Sequence, residues 1–489
     1  MSNPRADPCI LVIFGASGDL ARRKLLPAIY NLAESDLLPE PFAILGVARP
    51  AITEDAYRAQ VREHIEREEG EPLDSAKWQR LETRLHYIFG DFDDQAFYGQ
   101  LHTALADLQR KYVIAPNYLF YLAIPPELFG TVGRRLAAAG LAGERDGWRR
   151  LVVEKPFGYD LDSARRLNAE LTEGFRETQI YRIDHYLGKE TVQNILAFRF
   201  ANSIFEPIWN RRYVDHVQMT VAEDDGIGGR GAYYDKAGAL RDIVQNHMFQ
   251  VLSLVGMEPP ISFKGEAIRD EKVKVLNAVT PLTAADVRRD VVRGQYAGYR
   301  EEPHVAADSR TETYVALRLL LDNWRWAGVP FYLRSGKRLA RRSTEVSVHF
   351  KPAPLMLFRE TPVECTNPNV LVLRIQPDEG ISLSFDAKVP GPLERLETVT
   401  MDFSYAEHFH QEPSTGYETL LFDAMAGDQT LFHRMDIVEA GWQIVQPILE
   451  AWTRDTASSL PVYERESWGP AEADFLLERD GRQWRSSRP

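Results

Sequence analysis

The stretch Ile10-Leu11-Val12-Ile13-Phe14-Gly15-Ala16-Ser17-Gly18-Asp19-Leu20-Ala21-Arg22-Arg23-Lys24-Leu25 decides the reading of the first third of this chain. Five apolar residues, two glycines three apart and a run that turns amphipathic spell strand, tight turn and helix. In that order, the backbone N–H groups of the turn and the helix N-terminus are set to hold a pyrophosphate. The spacing is G-x-x-G rather than G-x-G-x-x-G, and no Gly-Lys-Ser/Thr follows, so the stretch is not a Walker loop. By itself it reads equally as a structural βα turn with Ser17 or Asp19 capping the helix.

Working outward, Phe42 to Val47, Asn117 to Ala123 and Leu151 to Val153 repeat the short apolar run, with helical periodicity between them. That alternation belongs to βαβ units on a parallel sheet. Beyond about residue 200 the period changes to two: Val217, Met219, Val221; Val315 to Leu321; Val346, Val348, Phe350; Ile381, Leu383, Phe385; Val399, Met401, Phe403. Half-buried strands in such succession predict a large, mainly antiparallel sheet with one face covered. Gly238 to Val255 and Phe432 to Trp452 are the covering helices expected. The chain therefore divides into an α/β part, 1–178, and an α+β part, 179–489.

Composition bounds the function. The chain has 489 residues, 44% hydrophobic and 26% charged, with 58 Lys+Arg against 71 Asp+Glu and a net charge of -13. These are the proportions of an ordinary globular protein of two or three domains, and no run approaches the ~20 apolar residues of a membrane span. The acidic balance argues against nucleic acid as a partner but not against an anionic small molecule held in a local basic cleft. Cys9 and Cys365 are the two cysteines. So few in so long a chain, with no cationic leader at the start, predict a cytoplasmic protein.

Four further segments carry polar groups with chemical capacity. Arg49 follows the second strand, where an arginine favours the 2′-phosphate of NADP over the free hydroxyl of NAD. Glu154-Lys155-Pro156-Phe157-Gly158 closes a strand, and proline restricts Lys155 to extended geometry. Tyr181-Arg182-Ile183-Asp184-His185-Tyr186-Leu187-Gly188-Lys189-Glu190 is too polar for a core strand; on a helix, His185 and Lys189 would share one face and grip a phosphate, while a plain helix start capped by Asp184 fits the spacing too. Arg241-Asp242-Ile243-Val244-Gln245-Asn246-His247 opens an apolar helix, with Asp242 and His247 about 140° apart on an ideal α-helix. Glu223 ends a strand upstream. Phe331-Tyr332-Leu333-Arg334-Ser335-Gly336-Lys337-Arg338-Leu339-Ala340-Arg341-Arg342 reads either as an exposed basic loop or as a substrate-anion site.

Together, Gly15 to Ala21, Glu154 to Gly158, Arg182 to Glu190 and Arg241 to His247 resemble the signature segments of the glucose-6-phosphate dehydrogenase family, bacterial type, in order and over nearly the whole chain. The resemblance implies a Rossmann dinucleotide-binding domain followed by an α+β substrate-binding and dimerisation domain. It implies oxidation of glucose 6-phosphate to 6-phosphoglucono-lactone with NADP, and with NAD as a further possible cofactor, in a homodimer or homotetramer. Carried over by position, His247 is the general base and Asp184 its carboxylate. Lys155, His185, Tyr186, Lys189, Glu223, Asp242, Lys337 and Arg342 are substrate positions. Gly15, Ala16, Ser17, Gly18, Asp19, Leu20, Ala21, Arg22, Arg49, Asp91, Phe92 and Lys155 are cofactor positions. The chemistry needs no metal. A sugar oxidoreductase of the glucose–fructose oxidoreductase or inositol dehydrogenase type is the alternative; it shares the glycine turn and the Glu-Lys-Pro turn but has no use for the phosphate-binding cations.

Overall fold

A computed structural model describes residues 6–70, 72–354, 366–410, 415–455 and 459–485. Cys365 lies outside them, and Cys9 is a free, buried thiol. The chain forms two compact units. The first runs to Lys189 and takes in Pro260–Asp270 and Ser414–Glu439; the second holds Glu190–Pro259, Glu271–Pro413 and Ala440–Pro489. This differs from the single cut expected at 178. The turn after residue 183 stays with the first unit because Gly188 packs directly on Gly416, where a Cβ would lie 2.1 Å from the Gly416 carbonyl oxygen.

The first unit is built on a seven-stranded sheet: β1 (Cys9–Phe14), β2 (Phe42–Ala48), β3 (Leu85–Phe89), β4 (Tyr118–Leu122), β5 (Arg149–Val153), β6 (Ile180–Ile183) and, from far downstream, β15 (Phe432–His433). Its order is β15-β6-β5-β4-β1-β2-β3. Strands β1 to β6 are parallel, and β15 is antiparallel to β6. β1 pairs with β2 on one side and β4 on the other, so the chain direction across the sheet reverses there. Strands covered on both faces must be apolar throughout, and β1, β2 and β4 are buried at every residue. The four strands expected from the apolar runs are present. β6 overturns the expectation that Tyr181-Arg182 is too polar for a core strand: Arg182 is 2% exposed, its guanidinium held by both oxygens of Glu177 at 2.6 and 2.9 Å and by Asn168 Oδ1 at 2.7 Å. A buried charge is tolerated when paired and fully hydrogen-bonded.

The second unit carries a nine-stranded sheet made of β7 (Val214–Ala222), β8 (Val291–Tyr296), β9 (Tyr314–Leu320), β10 (Pro330–Gly336), β11 (Ser343–Phe350), β12 (Val370–Gln376), β13 (Gly380–Lys388), β14 (Leu396–Ser404) and β16 (Val462–Tyr463). Its order is β14-β13-β12-β11-β7-β10-β9-β8-β16, antiparallel except for the β7/β10 and β8/β16 pairs. The period-two runs lie on these strands, with Leu321 one residue past the end of β9. β10 takes the Phe331–Gly336 part of the stretch considered as an exposed basic loop: it is buried along its length, and Arg334 sits between the rings of Trp468 and Trp484, 4.8 and 4.5 Å from their centroids, while Arg342 beyond it is exposed. The helix expected from Gly238 is π-helical over Leu240–Met248 and continues as an α-helix over Phe249–Gly256. The other expected helix spans Met435–Arg454. Among the described residues, no helix is long and apolar enough to cross a membrane.

Candidate functional site

The glycine turn sits where the first sheet's strand order reverses. The N–H groups of Gly15 and Ala16 both donate to the Val47 carbonyl, at 2.8 and 3.1 Å, and Gly18 N–H donates to Gly15 O at 2.8 Å. Gly15 has φ +83°, and a Cβ there would lie 2.1 Å from the Ala123 carbonyl oxygen. Only glycine combines that backbone conformation with so close an approach. The turn is thus wedged between the C-terminal ends of β2 and β4 and delivers a helix N-terminus to the crevice used by ligands of open α/β sheets. Those residues fit a dinucleotide's pyrophosphate. Around the turn, Arg22 is half-buried, and Asp19, Arg49 and Asp91 are exposed. Phe92 is a core side chain, its ring 5.6 Å from that of Phe14.

At the end of β5, Glu154 is buried while Lys155, next to it, is half-buried before a cis Lys155-Pro156 bond. Glu154 Oε1 accepts a 2.6 Å hydrogen bond from the Tyr121 hydroxyl. Burial pushes its carboxyl up to about 7, against the opposing pull of the Tyr121 phenol, the Lys155 ammonium and the Tyr417 phenol. Sequence reading quoted Glu154 only as part of the Glu-Lys-Pro turn and missed Tyr121 and Tyr417, because the three are unremarkable until the fold brings them together.

After β6 the chain turns rather than entering a helix; the next helix begins only at Glu190. Asp184 makes the turn: its Oδ1 accepts from Tyr186 N–H at 3.0 Å and its carbonyl from Leu187 N–H at 3.0 Å. This local side-chain-to-backbone bonding is the reason Asp starts turns as readily as helices. The expected helical face of His185 and Lys189 is therefore absent, yet the turn still groups them. The His185 ring lies 5.0 Å from Tyr186 and parallel to Tyr417 at 6.4 Å, and the Lys189 ammonium lies 5.6 Å from the Tyr186 ring centroid. Asp184 Oδ2 lies 3.5 Å from Nε2 of His433, a residue that sequence reading missed.

In the second unit, parallel pairing of β7 with β10 brings Ala222 opposite Gly336, so the next residues, Glu223 and Lys337, meet as an ion pair at 2.6 Å. Asp242 and His247 are 5% and 1% exposed on the π-helical segment. Because π-helical hydrogen bonds run from i to i+5, residues five apart lie nearly above one another, and the 140° separation expected for an α-helix does not apply. The Tyr233 hydroxyl donates to Asp242 Oδ1 at 3.1 Å. Glu312, also missed in the sequence, accepts from Leu240 N–H at 3.0 Å and so anchors the start of the segment. Arg342 is exposed and lines a cavity of about 890 Å³ with Asp224, Arg341, Arg374 and Arg485; its lining does not include Glu223, Lys337, Asp242 or His247.

A histidine on a buried helix and a carboxylate held by a backbone amide have the chemistry for proton transfer near neutral pH, and the glycine turn has the geometry for a nucleotide. Residues 12–194 match the family described as "Glucose-6-phosphate dehydrogenase, NAD binding domain", and residues 196–485 match "Glucose-6-phosphate dehydrogenase, C-terminal domain". The chain is 47% identical over 494 residues to a glucose-6-phosphate 1-dehydrogenase of Aggregatibacter actinomycetemcomitans, with 98% of each chain covered. It is similar to the crystal structure of glucose-6-phosphate 1-dehydrogenase from Mycobacterium avium, with TM-score 0.86, 42% identity and 99% of each chain covered. A second solved structure, a glucose-6-phosphate dehydrogenase in complex with its substrate glucose-6-phosphate, aligns with TM-score 0.91 and 33% identity over 99% of this chain and 100% of that one. With both parts matched and identity far above 30% across its length, the chain belongs to the glucose-6-phosphate dehydrogenase family.

Proposed function

We infer that this protein oxidises D-glucose 6-phosphate to 6-phospho-D-glucono-1,5-lactone with reduction of NADP to NADPH, the first step of the oxidative pentose phosphate pathway. One observation carries the reading: the solved relative that shares its fold over the whole chain at TM-score 0.91 is a complex with glucose 6-phosphate as substrate.

Bound NADP would supply the hydride acceptor for carbon 1 of the sugar. The glycine turn from Gly15 to Arg22 holds its pyrophosphate, and Arg49 takes the 2′-phosphate. His247 removes the proton of the carbon 1 hydroxyl, and Asp184 orients and stabilises the resulting imidazolium. His185, Tyr186 and Lys189 bind the substrate phosphate, whose binding energy positions the reacting centre. Glu223 and Asp242 accept from sugar hydroxyls. Lys337 completes the substrate pocket, and Lys155 serves cofactor and sugar. Arg342, exposed beyond the end of β10, is read with Lys337 as completing the substrate site. The assembly is a homodimer or homotetramer, a reading supported by Val399 and Met401, 40% and 63% exposed on the edge strand β14. We place the protein in the cytoplasm on the strength of its low cysteine content.

The test is spectrophotometric. Purified protein is mixed with NADP or NAD and with glucose 6-phosphate, free glucose and other hexose phosphates, and formation of reduced nicotinamide is followed. Turnover confined to the phosphorylated sugar is expected; free glucose turned over as well as glucose 6-phosphate overturns the reading. His247→Asn should lower kcat by ~10²–10⁴, with little effect on sugar binding.

A further inference from the structure

The short strand β15 adds two residues to the edge of the first sheet, pairing Phe432 with Ile183 and His433 with Arg182. That register sets the His433 side chain beside Asp184, the residue that leaves β6. His433 is 2% exposed, and its Nε2 lies 3.5 Å from Asp184 Oδ2. The opposite oxygen, Oδ1, is committed to the Tyr186 amide. The imidazole is fixed on its other sides: its ring lies 5.7 Å from that of Phe157, and its backbone carbonyl accepts from Arg182 Nη1 at 3.4 Å. Arg182 is neutralised by Glu177, which also accepts from the Met435 amide at 2.9 Å. The Tyr417 phenol feels the charges of both Glu154 and Asp184.

We propose that His433 is a positioning residue of the oxidation: it holds the Asp184 carboxylate from the side opposite the turn and shares its negative charge. The inference rests on the reading of Asp184 as the carboxylate that orients the base. A carboxylate held by a backbone amide on one oxygen and faced by a buried imidazole 3.5 Å from the other has fewer orientations open to it, and orientation is what a base-supporting carboxylate contributes. The imidazole also draws off part of the carboxylate's charge, so the field that Asp184 exerts on its catalytic partner is weaker than that of an unshared carboxylate. Removing the ring nitrogens therefore has two effects. Asp184 becomes less well ordered, which lowers kcat, and its full charge raises the basicity of the base, which moves the acid limb of the rate profile to higher pH.

His433→Phe keeps a ring against Phe157 and removes both nitrogens, and His433→Gln restores an N–H donor. For His433→Phe we expect kcat to fall about tenfold, a fraction of the ~10²–10⁴ of general base catalysis, with KM for glucose 6-phosphate within about twofold and the acid limb displaced upward by about half a pH unit. His433→Gln should recover most of kcat and return the limb toward its wild-type position. A folded His433→Phe enzyme with wild-type kcat and an unmoved limb overturns the inference. If the variants do not fold, imidazole nitrogen spectra of the wild type and Asp184→Asn decide it: a shift of the buried imidazole signal supports the contact, and superimposable spectra reject it. His247→Asn, measured in parallel, separates the two levels: its retained activity would remove the base assignment itself, whereas an inactive His247→Asn beside an unaffected His433→Phe removes only the role of His433.

Discussion

Glu154→Gln tests the electrostatics of the first unit directly. In the folded protein the Glu154 carboxyl is pushed by burial from 4.5 up to about 7. At 8% exposure solvent screens it little. A group whose folded pKa is raised above its unfolded value binds more protons in the folded state between the two, so stability falls as pH rises through that window and is level outside it. A shift from 4.5 to about 7, at 1.36 kcal/mol per unit, corresponds to about 3 kcal/mol. The wild type should lose that amount relative to Glu154→Gln between pH 4.5 and 7.5. Glutamine is neutral throughout, can accept from Tyr121 with its carbonyl and can donate to Tyr417 with its amide. The assay is urea unfolding of both proteins at half-unit pH intervals from 4.5 to 8.5, following a probe in the first unit and plotting the difference in unfolding free energy against pH. The difference should grow in favour of the variant by about 3 kcal/mol and flatten above pH 8. Parallel curves would refute the reasoning, because they would mean Glu154 titrates alike in folded and unfolded chains.

Glu223→Gln strands the Lys337 ammonium, which is 2% exposed. Breaking a buried pair costs ~3–5 kcal/mol, with the lower figure expected because Glu223 keeps 29% of its side chain exposed; denaturant unfolding checks it, and adding Lys337→Met should recover most of the loss. Gly15→Ala meets both the positive φ and the Ala123 carbonyl, so calorimetry should show a loss beyond the ~1–3 kcal/mol of backbone strain together with lost NADP affinity. Gly18→Ala, whose Cβ would lie 3.0 Å from Gly15 O without a positive φ, should be milder. Lys189→Ala should raise KM for glucose 6-phosphate about 10–100-fold, the worth of a charge-assisted hydrogen bond, and leave kcat nearly unchanged in steady-state assays.

Local patterning was enough to place one sheet in each unit of the chain. Period and apolar run length are properties of neighbouring residues, so β1, β2, β4 and β5 of the parallel sheet and β7, β9, β11, β13 and β14 of the other could be located from the sequence. The glycine turn was legible as a strand-to-helix turn, although its spacing alone read equally as a purely structural one. Where tertiary partners decide, local signals fail. Arg182 hides a core strand because its charge is cancelled by Glu177 from a neighbouring element. The π-helical Leu240–Met248 changes which side chains share a face, though its residues read as an ordinary helix. The sequence contains Asp184 and His433 almost 250 positions apart, and only the pairing of β15 with β6 makes them neighbours. Strand pairing and burial are relations between distant segments, and they set the orientation of Asp184, the raised pKa of Glu154 and the meeting of Glu223 with Lys337, none of which is written in any short stretch of the chain.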